Sequence, residues 1–192
     1  TMFNLSPLYM NWMQAWADCM REDGSMPHTA PNPYAAGGGP FWCGFIITAS
    51  WQTYLNYGDR RLLDRYYPYM QQWLEYVAHY TVDGLLKKWP DTSYRNWYLG
   101  DWATPVGIDQ TNPLSVDLVD NCYIAVCYQT MSKIASLLNK ADDSRGYKAK
   151  YDALTKRIQE TFYDAKGNTY ASGTQIDLVY PMLAGVTPDN LK

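Results

Sequence analysis

The sequence predicts an all-α fold, an α/α toroid of paired helices, on three observations. Six segments repeat apolar residues at three- and four-residue steps, the period of a helix with one buried face. The links between them alternate between very short and very long. The long links collect the prolines, glycines, loop acids and several tryptophans. Short links force neighbouring helices into antiparallel hairpins, and long loops in a domain this size usually carry function.

The first helix is expected over residues 6–21, with Leu8, Trp12, Ala15, Trp16 and Cys19 on one side, and Asp23-Gly24 ends it. A rigid loop follows, holding Pro27, Pro31, Pro33 and Gly37-Gly38-Gly39-Pro40. The second helix covers 41–56 and stops at Tyr57-Gly58-Asp59, where Gly58 suits a left-handed cap and Asp59 is placed to cap the next helix. That third helix, 60–80, has the clearest stripe: Leu62-Leu63, Tyr66-Tyr67, Met70, Trp73-Leu74 and Val77. Asp83-Gly84 closes it, and the longest loop runs on to Leu114. The fourth helix, 115–139, is apolar nearly all round, which predicts a helix surrounded by protein. The fifth, 144–163, shows only a narrow seam of Tyr147, Tyr151, Leu154, Ile158 and Phe162, the pattern of an outer helix. After a turn region at 164–173 a last apolar helix covers 174–185. Outer and inner helices thus alternate, as in helical hairpins packed around an axis. No repeat of fixed period suggests a solenoid, and residues 1–192 read as part of a single domain.

Composition narrows the function. The chain has 18 Tyr and 8 Trp but only 4 Phe, so most aromatics carry a polar handle suited to half-wet surfaces and sugar platforms. A net charge of -3 argues against nucleic acid, whose phosphates call for basic clusters. No run is apolar enough to span a membrane. Cys19, Cys43, Cys122 and Cys127, with His28 and His79, lack zinc-site spacing and read as packed thiols and isolated imidazoles, so no metal or cofactor is expected. The opening Thr1-Met2-Phe3 reads as cut from something longer. A cytoplasmic and a periplasmic or secreted location are both left open.

The stretch Asn96-Trp97-Tyr98-Leu99-Gly100-Asp101-Trp102-Ala103-Thr104-Pro105 is the most informative. It sets an acid beside a flat aromatic, the pair a protein uses to hold a sugar: the carboxylate accepts hydroxyl protons and the indole covers a C–H face. Asp101 also suits a turn, and Trp102 and Trp42 also suit a core. His28, between prolines, fits either a sugar hydrogen bond or a structural role. Gln175, at the start of the last helix, fits a binding rim or a helix cap. Catalytic acids are harder to find. A glycosidase needs two carboxyl groups flanking the scissile bond. The glutamates are Glu22, Glu75 and Glu160 alone; Glu75 and Glu160 fall on helix surfaces, and Glu22 at a helix end beside Asp23. The loop acids Asp23, Asp91, Asp101 and Asp109 show no telling pair. Binding residues are therefore clearer than a catalytic pair.

A set of short motifs adds a family. In order these are Trp16-Ala17-Asp18, Asp23-Gly24-Ser25-Met26-Pro27 with Pro31, Gly39-Pro40-Phe41-Trp42 and Trp51-Gln52-Thr53-Tyr54-Leu55-Asn56-Tyr57-Gly58-Asp59. Tyr69-Met70, Trp73-Leu74-Glu75-Tyr76, Gly100-Asp101-Trp102 and Gln175 follow. Together, over nearly the whole chain, they resemble the six-hairpin catalytic domain of bacterial α-L-rhamnosidases. The resemblance implies an (α/α)6 barrel, of which this chain is an interior slice of about half. It also implies inverting hydrolysis of terminal α-L-rhamnosyl bonds, with no obligatory cofactor. The partners implied are a rhamnosyl glycoside and the rest of the barrel. Trp42 and Trp102 resemble family tryptophans lining the sugar pocket, and Asp101 the acid beside the second. The family's general acid lies upstream of the region matching Thr1 and its general base downstream of Lys192, so no catalytic residue is expected within this chain, nor turnover by it alone. Cys43-Gly44 departs from the family, where an acid often follows the tryptophan. Apolar sides at two open ends would favour weak stability or self-association. The alternatives are a glucoamylase- or trehalase-like toroid and a non-catalytic carbohydrate-binding or scaffold domain.

Overall fold

Helix α4 (Arg61–His79) buries Leu62, Leu63, Tyr66, Tyr67, Met70, Trp73, Leu74 and Val77, the residues that helical spacing selects. Each such apolar side chain removed from water contributes about 1.5–3 kcal/mol. The computed structural model describes residues 4–37, 39–92, 94–100, 103 and 112–189. Helix α4 packs on α3 (Phe45–Tyr57), and Gly58 makes the tight return between them: its φ of 68° lets its N–H reach Tyr54 O at 2.8 Å. Asp59 does not cap α4 as expected. The N-cap position is Arg60, without a side-chain cap bond. Asp59 instead accepts from the Arg61 N–H and grips the Arg61 guanidinium at 2.5 Å, which holds its pKa at about 2.

Helices α5 (Pro113–Leu137) and α6 (Ala141–Phe162) form a second hairpin, with Asn139 at φ 60° in the link. Asn112 caps α5 by accepting from Ser115 N–H, and Pro113 occupies the first turn, where its missing N–H costs nothing. Helix α5 is buried on nearly every side, whereas α6 buries only Tyr147, Leu154, Ile158 and Phe162. Helix α7 (Gln175–Leu183) starts at a capping box made by Thr174 and Asp177. Its stripe of Leu178, Val179, Met182 and Leu183 is exposed. Among the described residues no helix is long and apolar enough to cross a membrane.

Helices α3, α5 and α7 pack as consecutive neighbours; α4 backs α3, α6 backs α5, and α1 (Ser6–Cys19) packs on α3 and α4. The inner three run the same way. Thr48 on α3 shares a 3.0 Å hydrogen bond with Tyr123 on α5. Ser115, at the start of α5, donates to Asp177 at the start of α7, and Asn112 donates to Ser172 at 2.6 Å. The starts of α5 and α7 therefore meet at one rim, and α3 sets out from the same end with its first turn level with Tyr123. The long connections that follow α1, α4 and α6 run into that rim, and the short links close the other end. This is the alternation of inner and outer helices that the sequence predicts.

Two further features differ from the expectation. The second helix is two, α2 (Pro40–Cys43) and α3, with the bend at Gly44. A Cβ there would sit 2.7 Å from the Trp73 ring and 2.8 Å from the Tyr123 ring, so α4 and α5 approach too closely for any side chain. Asp83-Gly84 and the 164–173 region lie in small antiparallel ribbons, β2 (Thr81–Val82) with β3 (Leu85–Leu86) and β5 (Tyr163–Asp164) with β6 (Thr169–Tyr170). Strands of two residues have no alternation to read. Gly44→Ala should cost about 1–3 kcal/mol in urea unfolding, because two packed rings must move. Gly146→Ala, at an α6 position with nothing within 4 Å of the new Cβ, should be neutral or stabilising.

Candidate functional site

Two long loops are tied together at the rim. Strand β1 (Ala36–Gly37) pairs in parallel with β4 (Arg95–Asn96), so the proline-glycine loop and the acid-aromatic loop share backbone hydrogen bonds. Arg95 N–H donates to Ala35 O at 3.0 Å and Trp97 N–H to Gly37 O at 2.9 Å. Asn96 is buried and works as the clamp of the second loop. Its N–H donates to Asp91 Oδ1 at 2.7 Å, its Nδ2 to Trp89 O at 2.9 Å, and its Oδ1 accepts from Tyr98 N–H at 3.0 Å.

His28 is held by the first loop. Its backbone N–H and its Nδ1 both reach Ala36 O, at 2.9 and 2.6 Å. A carbonyl only accepts, so Nδ1 carries the hydrogen in this bond. The ring lies 4.8 Å from Trp97, which is 40% exposed. Trp97 is an aromatic of this rim that the sequence reading passed over.

Trp42 sits half-buried on α2, edge-on to Phe41 at 5.0 Å. Phe41 in turn meets Tyr123 of α5 at 5.1 Å and Tyr180 of α7 at 5.5 Å. This aromatic contact joins the helix bearing Trp42 to both inner neighbours. Gln175 is exposed at the first position of α7, on the same rim. The capping box uses Thr174 and Asp177, so capping does not account for Gln175. Asp101 and Trp102 lie outside the described residues, as does Asp109. The segment leading to them is well placed: a Cβ on Gly100 would come within 2.9 Å of Val116 Cα, so the chain presses directly on the first turn of α5. Trp42, Gln175 and the approach to Asp101 thus converge on one rim, and His28 joins it through Trp97.

The described glutamates do not join them. Glu22 and Glu75 are exposed, and Glu160 pairs with Arg157 at 3.0 Å and Lys156 at 3.8 Å on the outer helix. Asp23 accepts from Ser25 N–H at 2.9 Å, an ordinary turn bond. None of the four cysteines forms a disulfide, and Cys43 donates to Met26 O at 3.2 Å. Among the described residues no three His, Cys, Asp or Glu side chains gather to hold a metal.

Asp120 is the residue that sequence reasoning missed. It is fully buried on α5, and no described residue hydrogen-bonds to either carboxyl oxygen. Burial pushes its pKa well above the usual carboxylate range, Asp117 pushes it further, and the Phe41 N–H pulls it partly back. That N–H is near enough to act on the charge but outside hydrogen-bond geometry. Tyr98 Oη is buried without a partner too, and burial together with Asp120 and Asp117 raises its pKa. A signal was present: Asp120 stands beside Leu118, Val119, Cys122 and Tyr123 on a helix that is apolar nearly all round.

The whole chain, residues 1–192, matches the sequence profile of the bacterial alpha-L-rhamnosidase 6 hairpin glycosidase domain. The chain belongs to this family. The family is one of glycoside hydrolases. Among solved structures, the rhamnosidase fold recurs in the alpha-L-rhamnosidase from Dictyoglumus thermophilum, at 24% identity and TM-score 0.84, over 98% of this chain and 21% of that one. The Streptomyces avermitilis enzyme, complexed with L-rhamnose, aligns at 23% identity and TM-score 0.79, over 97% of this chain and 17% of its own. The Aspergillus terreus enzyme aligns at 23% and 0.80, over 97% and 22%. At these identities the likeness establishes the fold, and the chain spans about a fifth of each of those proteins. No curated relative matches the chain. In this rhamnosidase-family rim, Asn96→Ala should cost about 1–3 kcal/mol by urea unfolding and speed exchange of the Tyr98 amide, since it strands a buried carbonyl and a buried N–H.

Proposed function

We propose that this chain forms the sugar-binding wall of an α-L-rhamnosidase barrel. The terminal α-L-rhamnosyl ring rests on Trp42 and Trp102, its hydroxyls are met by Asp101, His28 and Gln175, and carboxyl groups outside these 192 residues carry the proton transfers. The observation that carries this reading is the convergence of Trp42, Gln175 and the two tied loops on the N-terminal rim of α3, α5 and α7. A 6-deoxy sugar presents a methyl group and C–H bonds to an indole face and hydroxyls at its edge, so it needs an aromatic floor with polar groups around it.

The chemistry of the bond requires more. Inverting hydrolysis places two carboxyl groups about 6.5–9.5 Å apart with a water between one of them and the sugar. This reading leaves the described acids outside that pair, in keeping with the exposed glutamates, with Asp23 and Asp91 engaged in turn hydrogen bonds and with Asp120 buried in the interior. Holding the ring and breaking the bond are therefore assigned to different stretches of polypeptide.

The purified chain should release no 4-nitrophenol from 4-nitrophenyl α-L-rhamnoside, yet bind L-rhamnose by tryptophan fluorescence. Trp42→Ala and Asp101→Asn should each weaken that binding by about tenfold or more, the loss of roughly 1.4 kcal/mol. Turnover by the chain itself would overturn the division of labour. Equal binding of D-glucose would point to a glucoamylase- or trehalase-like pocket, and no binding of any sugar to a scaffold.

A further inference from the structure

Three elements of the rim close on one another beside Asp120. A Cβ on Gly39, the N-cap of α2, would lie 3.2 Å from Tyr98 Cα, and one on Gly100 would lie 2.9 Å from Val116 Cα, one turn before Asp120 on α5. The Phe41 ring meets Tyr123 of α5 at 5.1 Å. Helix α5 contributes the Asp120 carboxyl, which has no exposed surface and no hydrogen-bond partner among the described residues. The acid-aromatic loop contributes Tyr98 Oη, likewise buried and unpartnered, and near enough to Asp120 to sense its charge. Helix α2 contributes the Phe41 N–H, a first-turn donor that acts on the same carboxyl. An internal water needs two to four polar partners to replace those it leaves in bulk solvent, and these groups supply that number.

We propose that Asp120 is a positioning residue: as a neutral carboxylic acid it holds, with Tyr98 Oη and the Phe41 N–H, one internal water that fastens the Tyr98–Gly100 segment and α2 to α5. The proton is what makes the arrangement self-consistent. A neutral acid both donates and accepts, so it can complete a shared site with a phenol and an amide, whereas a carboxylate only accepts and would be a buried charge. Among the described residues no cation acts on it. The titratable groups coupled to it are Asp117 on its own helix and Tyr98 on the loop, and Asp117 engages Lys87 at 3.6 Å. The fastened elements are those that carry Trp42 and lead into Asp101 and Trp102. The role holds whichever sugar the rim binds, and it does not depend on the rhamnosyl reading.

The sign of the pH effect follows. In the closed form Asp120 keeps its proton well above the ordinary range; in an opened form it releases the proton near pH 4. Opening of the segment should therefore become easier as pH rises, by about tenfold per pH unit until Asp120 itself titrates in place. The test is amide hydrogen exchange at Trp97 and Tyr98 in the 192-residue chain between about pH 5 and 7, corrected for intrinsic rates, with Asp120→Asn and Asp120→Ala alongside. Protection should fall with pH in the wild type and stay flat in Asp120→Asn, which is neutral at every pH and of the same shape. In Asp120→Ala protection should be low throughout; if that variant does not fold, the wild-type and Asp120→Asn profiles decide. Parallel profiles for those two would overturn the proposal, as would a high-resolution crystal structure with no water between Asp120 and Tyr98 Oη.

Discussion

Helix α5 has almost no solvent face, and the rest of the molecule is arranged by that constraint. A helix buried nearly all round must be covered by protein on every side. It receives α3 and α7 as inner neighbours, α6 behind, and α2 and the Tyr98–Gly100 segment across its first turns. Ser115 with Asp177 joins the starts of α5 and α7, and α3 meets α5 at Thr48 with Tyr123 and then at Trp51 and Tyr54 beside Ser132 and Ser136, so the neighbours lie parallel. Parallel helices bring their N-termini to one rim, and antiparallel partners must then return there through the long connections. The position of the candidate site is a consequence of this geometry.

Precision at the rim comes from small devices. Two residue pairs of parallel ladder unite loops from distant parts of the chain, and one asparagine satisfies three backbone groups around itself. Glycine permits the closest approaches, at Gly44 against two rings and at Gly100 against the α5 backbone. Aromatic edges do the remaining work, with Phe41 touching rings from α2, α5 and α7. None of these contacts is large. Their value is that each removes a freedom that a binding surface would otherwise lose on meeting its ligand.

Much of the architecture was legible because long helices repeat their chemistry. The α4 stripe, the narrow seam of α6 and the all-round burial of α5 each follow from the spacing of apolar residues, and Gly58 announced its hairpin. What was not legible lacks a period. Strands of two residues, the bend at Gly44 and the Arg60 start of α4 depend on neighbours far away in sequence. Trp42 and Gln175 were singled out by residue type and place; Trp42 lies half-buried on α2 and Gln175 exposed at the first position of α7. Asp120 is not among the loop acids, yet its seat in an apolar helix marks it as buried. Asn96 and Trp97 lay inside the singled-out stretch, yet their roles arise only from pairing with a loop about sixty residues earlier.

The claim that one rim of parallel helix N-termini is the sugar-binding surface is tested most directly by mapping backbone amide shifts of the labelled chain during titration with L-rhamnose. The account predicts saturable shifts at Trp42, at the Trp97–Gly100 segment and at Gln175, and none around the Asn139 link at the far end. Shifts confined to that far end, or scattered over the outer faces of α4 and α6, would contradict it.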